Sequence, residues 1–260
     1  MSSAVPAFAR LAAPGRSPFY AVVENDRYRE ADGDPFAGLV ARGPLRPLEE
    51  AVFAVPVVPQ KIVCVGRNYR AHAAELGQDV PKEPLLFFKP PSALLPHLGT
   101  IRLPKDSARV DHEGELGVVV GTRLRHVDAA RARAGVLGFT CLNDVTARDL
   151  QKKDVQFTRA KGFDTFCPIG PIVVPGLDPR DLVIETFVNG VKRQSAPAKQ
   201  MIFDVGVLLA YISRVMTLEP GDVVATGTPE GVGPLAAGDE VSVAIAGIGR
   251  LVNRVEADRD

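Results

Sequence analysis

DHEGELGVVVG (Asp111–Gly121), LNDVTARDLQ (Leu142–Gln151) and RAKGFDTFCP (Arg159–Pro168) make up the stretch from which the rest of this chain is read. Glu113 and Glu115 open an apolar run, Leu116–Val120, that has the composition of a buried strand. On a strand, residues i and i+2 face the same way, so both carboxylates project to one side. Asp144 lies in a second run, Gly138–Val145, beside Asn143. If the two runs pair, three carboxylates meet. At ~4–5 Å and an effective dielectric near 20, each pair of like charges repels by roughly 3–4 kcal/mol. Three such pairs cost on the order of 10 kcal/mol, comparable with the stability of a domain. The cluster must therefore bind a cation, hold protons, or not form. With no Cys or His donor close by, three carboxylates suit Mg²⁺ or Mn²⁺ better than Zn²⁺. Spacing alone leaves open that these are three unrelated surface acids.

Composition narrows the class. The chain has 260 residues, 46% of them hydrophobic, enough for a sizeable core. Lys plus Arg and Asp plus Glu balance at 31 each, so nothing advertises nucleic acid or an anionic membrane as partner. The start, MSSAVPAFARLAAPGRS, lacks a charged segment followed by an apolar one, and no run approaches the ~20 residues of a membrane helix. Cys64, Cys141 and Cys167 sit in apolar contexts without CxxC spacing. They read as reduced core residues of a cytoplasmic protein.

Residues 1–58 are expected to form a small N-terminal β unit, with a hairpin about Asn25-Asp26. Asp32 to Pro56 reads as loops ending in one short strand, and Leu95 to Lys105 also reads as loop. Residues 59–260 carry the chemistry. KIVCVG (61–66) is a buried strand, and Tyr69 to Leu76 form a helix stopped at Gly77. His72 and Glu75, three apart, share a helix face, which suits an acid/base pair or an ordinary solvated one. Leu85–Phe88 is strand-like, with Lys89 at its end; Thr146 to Asp154 is helical; Lys161 lies in a Gly-containing loop. Either lysine, taken alone, reads as a solvated surface residue. Asp128 caps Ala129–Ala134. Asn189-Gly190 joins two strands in a type I′ turn. Val205, Leu208, Leu209, Ile212, Val215 and Met216 form the apolar face of a helix capped by Asp204. The loop GTPEGVGP lacks the GK[ST] of a phosphate loop, although Thr228 offers a hydroxyl. Strands outnumber helices, so the fold class is α+β, mainly β.

Taken together, VGRNYRAHAAELG, FFKP, DHEGELGVVVG, NDVTARDLQ, AKGFDTFCPIGP and TGTPEGVGP resemble, in order, the signatures of the fumarylacetoacetate hydrolase family. The likeness spans roughly Lys61 to Val255. It implies a mixed β-roll of the fumarylacetoacetase C-terminal type and a homodimer. It implies Mg²⁺ or Mn²⁺ held by Glu113, Glu115 and Asp144, with Lys161 beside the metal and Thr165 near it. His72 and Glu75 would be the catalytic dyad, and Arg67, Lys89, Gln151 and Thr228 would contact substrate. Fumarylacetoacetase itself is longer, and the hydratase branch typically lacks the RNY-x-x-H-x-x-E segment, so the likeness is to the short bacterial-type branch. The implied substrate is a small enolisable 2-oxo acid. The expected reaction is that of a 2-hydroxyhepta-2,4-diene-1,7-dioate isomerase or related decarboxylase of aromatic catabolism. Acylpyruvate hydrolysis and oxaloacetate decarboxylation are the alternatives within the family. A metal-dependent phosphohydrolase would need a phosphate cradle that the sequence lacks, and a non-catalytic binding protein on the same fold would have no use for His72 and Glu75.

Overall fold

The computed structural model describes residues 5–258 apart from Leu76 and Gln78. Leu76, the expected last residue of the first helix, and residues 1–4 and 259–260 of the two expected units lie outside the described residues. The architecture is α+β and mainly β, with three sheets and five short helices among the described residues.

Gly114–Val120 is the central strand, buried along its whole length. It pairs antiparallel with Val136–Asn143 on one side and Val223–Ala225 on the other. Its alternation divides the core. Leu116, Val118 and Val120 pack with Leu208, Leu209 and Ile212 of the longest helix, while Val119 packs with Ile62, Cys64 and Leu142 on the other face. The sheet continues through Ile62–Gly66, parallel to Val223–Ala225, to Leu85–Lys89. In the other direction it runs through Cys167–Val174 to Phe8–Ala13 and the N-terminal meander Arg16–Glu24, Arg27–Asp34 and Gly38–Pro47. The N-terminal strands keep a small core of their own around Leu11, Ala21 and Tyr28. A five-stranded sheet, ordered Val191–Pro197, Val183–Val188, Glu240–Ile245, Gly249–Ala257 and Thr100–Leu103, stands beside the first.

We label the helices α1 (Arg70–Glu75), α2 (Ala129–Ala134), α3 (Arg148–Lys153), α4 (Thr158–Gly162) and α5 (Val205–Val215). Asp128 and Asp204 cap α2 and α5 by accepting the N–H groups of Arg131 and Val207. Asn189 and Gly190 both have positive φ, as the type I′ turn between their strands requires.

Five local expectations change. Gly38–Pro47, read as loop, is a ten-residue strand; it lies almost wholly exposed, so it carries no apolar alternation to betray it. Thr100–Leu103, also read as loop, pairs in parallel with Gly249–Ala257, a long-range contact that four residues cannot announce. Thr146–Ala147 pairs with Val110–His112, which delays α3 to Arg148. Val215 faces out of α5 at 58% exposure rather than into the core. Lys161 ends α4 instead of lying in a loop. The three cysteines are buried and free.

Candidate active site

Register explains why the acids meet. Gly114 pairs with Asn143, which sets Glu113 against Asp144 just beyond the strand end. The Asp144 N–H donates to Glu113 O (2.8 Å), and Asn143 Oδ1 accepts the Glu113 N–H (2.9 Å). Glu115, one strand pleat further on, faces the same way. One carboxylate oxygen from each of Glu113, Glu115 and Asp144 lies within 4.8 Å of the other two, and all three residues are buried. Three surface acids are thereby excluded. Asp144 is not within its strand, as expected from the apolar run, but one residue past it.

The repulsion expected of three bare acids is offset at two of them, Glu113 and Asp144, by buried cations. Lys161 Nζ bridges Glu113 Oε2 (2.9 Å) and Asp144 Oδ2 (2.7 Å). Lys89 Nζ stands 2.8 Å from Asp144 Oδ1 and donates to Val145 O and Lys161 O. Arg148 reaches Glu113 with one nitrogen and buried Asp111 with another, while its third donates to Gln151 Oε1. Both lysines are thus interior residues; neither is solvated. The consequences for the two glutamates are opposite. Burial tends to raise the Glu113 carboxyl, but Lys161 and Arg148 outweigh it and hold the group well below the usual carboxylate range. Burial, reinforced by the charges of Asp144 and Glu113, pushes Glu115 well above it. Burial would lower the Lys161 ammonium, but Asp144 and Glu113 raise it.

The donor set suits a hard divalent cation: three buried carboxylates, one oxygen of each within 4.8 Å of the others. Glu115 makes no ion pair among the described residues and takes a single hydrogen bond, from Gly227 N–H (2.7 Å), so one acid is left for an ion to compensate.

A cavity of about 430 Å³ opens over this cluster. Glu113, Glu115, Lys161, Arg148, Gln151, His72, Arg67 and Thr228 line it, with Leu85, Phe87 and Phe157 as its apolar part. His72 Nδ1 lies 3.1 Å from Glu75 Oε2, and Glu75 Oε1 accepts the Gly231 N–H (3.0 Å). His72 is buried, whereas the Glu75 side chain is one-third exposed. Of the expected substrate contacts, Arg67, Gln151 and Thr228 reach the cavity and Lys89 stands behind Asp144 instead. Thr165 does not line it; its hydroxyl accepts the Arg102 N–H (2.9 Å). Thr228 donates its proton to Gly114 O (2.9 Å) and accepts from Gln194 (2.7 Å), so it presents a lone pair rather than a hydrogen.

Sequence reasoning missed Arg148, Asp111, Gln194 and Gly231. Arg148 was detectable: three residues before Gln151, it shares that residue's helix face. Gln194 was not, because its neighbours on the hairpin are exposed.

Comparison with known proteins agrees with this geometry. The family described as fumarylacetoacetate (FAA) hydrolase C-terminal matches residues 61–256, and one described as Rv2993c-like, N-terminal matches residues 7–56. An uncharacterized protein of Archaeoglobus fulgidus is 52% identical over 231 residues, 88% of this chain and 91% of the other. The oxaloacetate tautomerase YisK of Bacillus subtilis is 41% identical over 214 residues, 77% of this chain and 71% of the other. Among solved structures, 2-hydroxyhepta-2,4-diene-1,7-dioate isomerase from Mycobacterium marinum superposes with a TM-score of 0.90 at 42% identity, covering 98% of this chain and 100% of that one. Fumarylpyruvate hydrolase from Pseudomonas aeruginosa, in complex with Mn²⁺ and pyruvate, gives 0.73 at 36% identity, covering 78% and 91%.

Proposed function

The chain belongs to the fumarylacetoacetate hydrolase family, and on that premise we propose that it is a Mg²⁺- or Mn²⁺-dependent enzyme that moves protons on an enolisable 2-oxo dicarboxylic acid. The reading that fits best is 2-hydroxyhepta-2,4-diene-1,7-dioate isomerase or the related decarboxylase. The observation that carries it is one cavity lined both by Glu113 and Glu115 of the three-carboxylate cluster and by His72, whose ring is paired with Glu75. The metal-bound hydrolase of Pseudomonas aeruginosa lends support to the ion, and its pyruvate to a 2-oxo acid ligand.

Glu113, Glu115 and Asp144 would hold the cation, which supplies Lewis-acid stabilisation of negative charge on the substrate's C2 oxygen. Lys161, hydrogen-bonded to Glu113 and Asp144, would fix both carboxylates in place and add positive charge beside that oxygen. His72 accepts a proton from the substrate and returns it at another atom, while Glu75 orients the ring through Nδ1. Arg67 brings a guanidinium whose buried Nε has no hydrogen-bond partner, a natural complement to a distal carboxylate. Phe87 and Phe157, edge to face, exclude water from the chain between.

Oxaloacetate tautomerisation is the second reading, favoured by the Bacillus subtilis relative; it needs the same proton transfer on a shorter diacid. A C–C hydrolase of acylpyruvates would further require a water held for attack. A homodimer is part of the proposal, and light scattering in solution tests it. The deciding assay follows enol absorbance for a dienedioate, an acylpyruvate and oxaloacetate, each with and without EDTA. Loss of enol signal without chain cleavage, abolished by EDTA and restored by Mn²⁺, is the expected result. Activity that survives EDTA, or turnover of none of the three, overturns the proposal.

A further inference from the structure

Gln194 is a buried amide on a hairpin whose flanking residues, Val191, Lys192, Arg193 and Ser195, all face solvent. Its hydrogen-bonding capacity is fully used. Oε1 accepts the Gly114 N–H (2.9 Å) and faces His112 Nδ1 (3.3 Å), while Nε2 donates to Thr228 Oγ1 (2.7 Å) and Pro229 O (2.8 Å). One side chain from the second sheet thus joins the backbone between the two glutamates to the middle of the loop Thr226–Gly231.

That loop touches both halves of the cavity. Gly227 N–H holds Glu115, and Gly231 N–H holds Glu75. Its two ends are secured differently. The Gly227 end has anchors of its own: Thr226 bonds to Leu116 O, and Asn68 donates to Thr226 O. The Gly231 end leans on the Gln194 hairpin. Gly231 has φ 94°, and a Cβ there would come within 2.1 Å of Arg193 O. We propose that Gln194 is a positioning residue for the His72–Glu75 pair, which it sets at a fixed reach from the carboxylate cluster through Thr228, Pro229 and Gly231. The proposal deepens the reading of the site given above and rests on it for the catalytic readout alone.

The loop's asymmetry yields a signature that general destabilisation would not give. Gln194→Met keeps the volume and removes all four hydrogen bonds. It should lower kcat at least about tenfold, the scale of a sub-ångström misplacement of a catalytic group. The Kd for Mn²⁺, read by titration of the metal alone, should stay within about threefold, because the Glu115 end keeps its own anchors. Amide hydrogen exchange should quicken over residues 228–231 and in α1 while Gly114–Val120 stays protected. This exchange readout needs no substrate, so it tests the positioning claim even if none of the oxo acids is turned over. Gly231→Ala forces the same contact apart from the loop side and should give the same pattern; it serves if Gln194→Met fails to fold. A Kd for Mn²⁺ that rises in step with the loss of kcat would overturn the proposal, as would unchanged exchange in 228–231 and α1.

Discussion

The two walls of the cavity are built on opposite principles. The carboxylate wall is made of paired strands whose register sets Glu113 against Asp144, and both of these acids are buried among counter-charges, whereas Glu115 is not. The His72 wall is a six-residue helix, too short to hold itself, with Glu75 partly exposed and tied to the rest by the Gly231 amide. The difference teaches a division of labour. Charge stabilisation works when its dipoles are fixed before substrate arrives, and the carboxylates lie at the end of a strand buried along its whole length. The His72–Glu75 pair sits instead on a short helix held from outside itself, the Gly231 N–H among its ties.

The comparison breaks most visibly if the carboxylate wall is not a metal site. Asp144→Ala or Glu115→Ala should abolish Mn²⁺ binding and lower kcat by about 10³-fold or more, read by titration calorimetry and enol absorbance. His72→Ala should cost about 10²–10⁴-fold in kcat yet leave Mn²⁺ binding intact. If that variant lost metal affinity as well, the two walls would be one unit. Lys161→Met should act on folding: it leaves Glu113 and Asp144 buried without their ammonium, costing about 3–5 kcal/mol in denaturant unfolding, part of which added Mn²⁺ restores.

The smallest effect concerns pH. Glu115 titrates above its unfolded value of 4.5, so between the two values the native state holds a proton the unfolded chain has released. Stability of the metal-free protein should therefore fall as pH rises above about 4.5. Glu113, held below the usual range, contributes with the opposite sign, and its contribution is already complete in that window. A bound ion displaces the Glu115 proton and should flatten the slope. Melting curves with EDTA and with Mn²⁺ should diverge as pH rises; parallel curves would mean that Glu115 is not a ligand.

The carboxylate wall was legible in the sequence for the reason that makes it rigid. E-x-E ahead of an apolar run, and Asp after another, are local strand patterns, and pairing such strands is the ordinary way to bury them. What the chain disclosed only in part is the compensation: the family likeness put Lys161 beside the cluster, but nothing put Lys89 against Asp144 or Arg148 against Glu113. Lys89, Lys161 and Arg148 come from a strand end and two short helices, and nothing local marks a lysine as buried. The ledger of three acids and no bases consequently overstated the repulsion. The His72 wall was legible only as a helix-face pair, since its tie to Gly231 spans 156 positions of sequence. The strand Gly38–Pro47 went unread because none of its residues is fully buried. Patterns of burial write themselves into a sequence; long-range hydrogen bonds and ion pairs do not.

The central claim is that Glu113, Glu115 and Asp144 together hold one divalent ion that grips an enolisable oxo acid. Crystals grown with Mn²⁺ and oxalate, a two-carbon stand-in for the carboxylate and C2 oxygen of such an acid, test it by anomalous diffraction at the manganese edge. The account predicts one peak within coordination distance, about 2.1 Å, of all three carboxylates, with oxalate chelating its open side opposite His72. A cluster that stays bridged by Lys161 alone, with manganese absent or bound elsewhere at millimolar concentration, would contradict it.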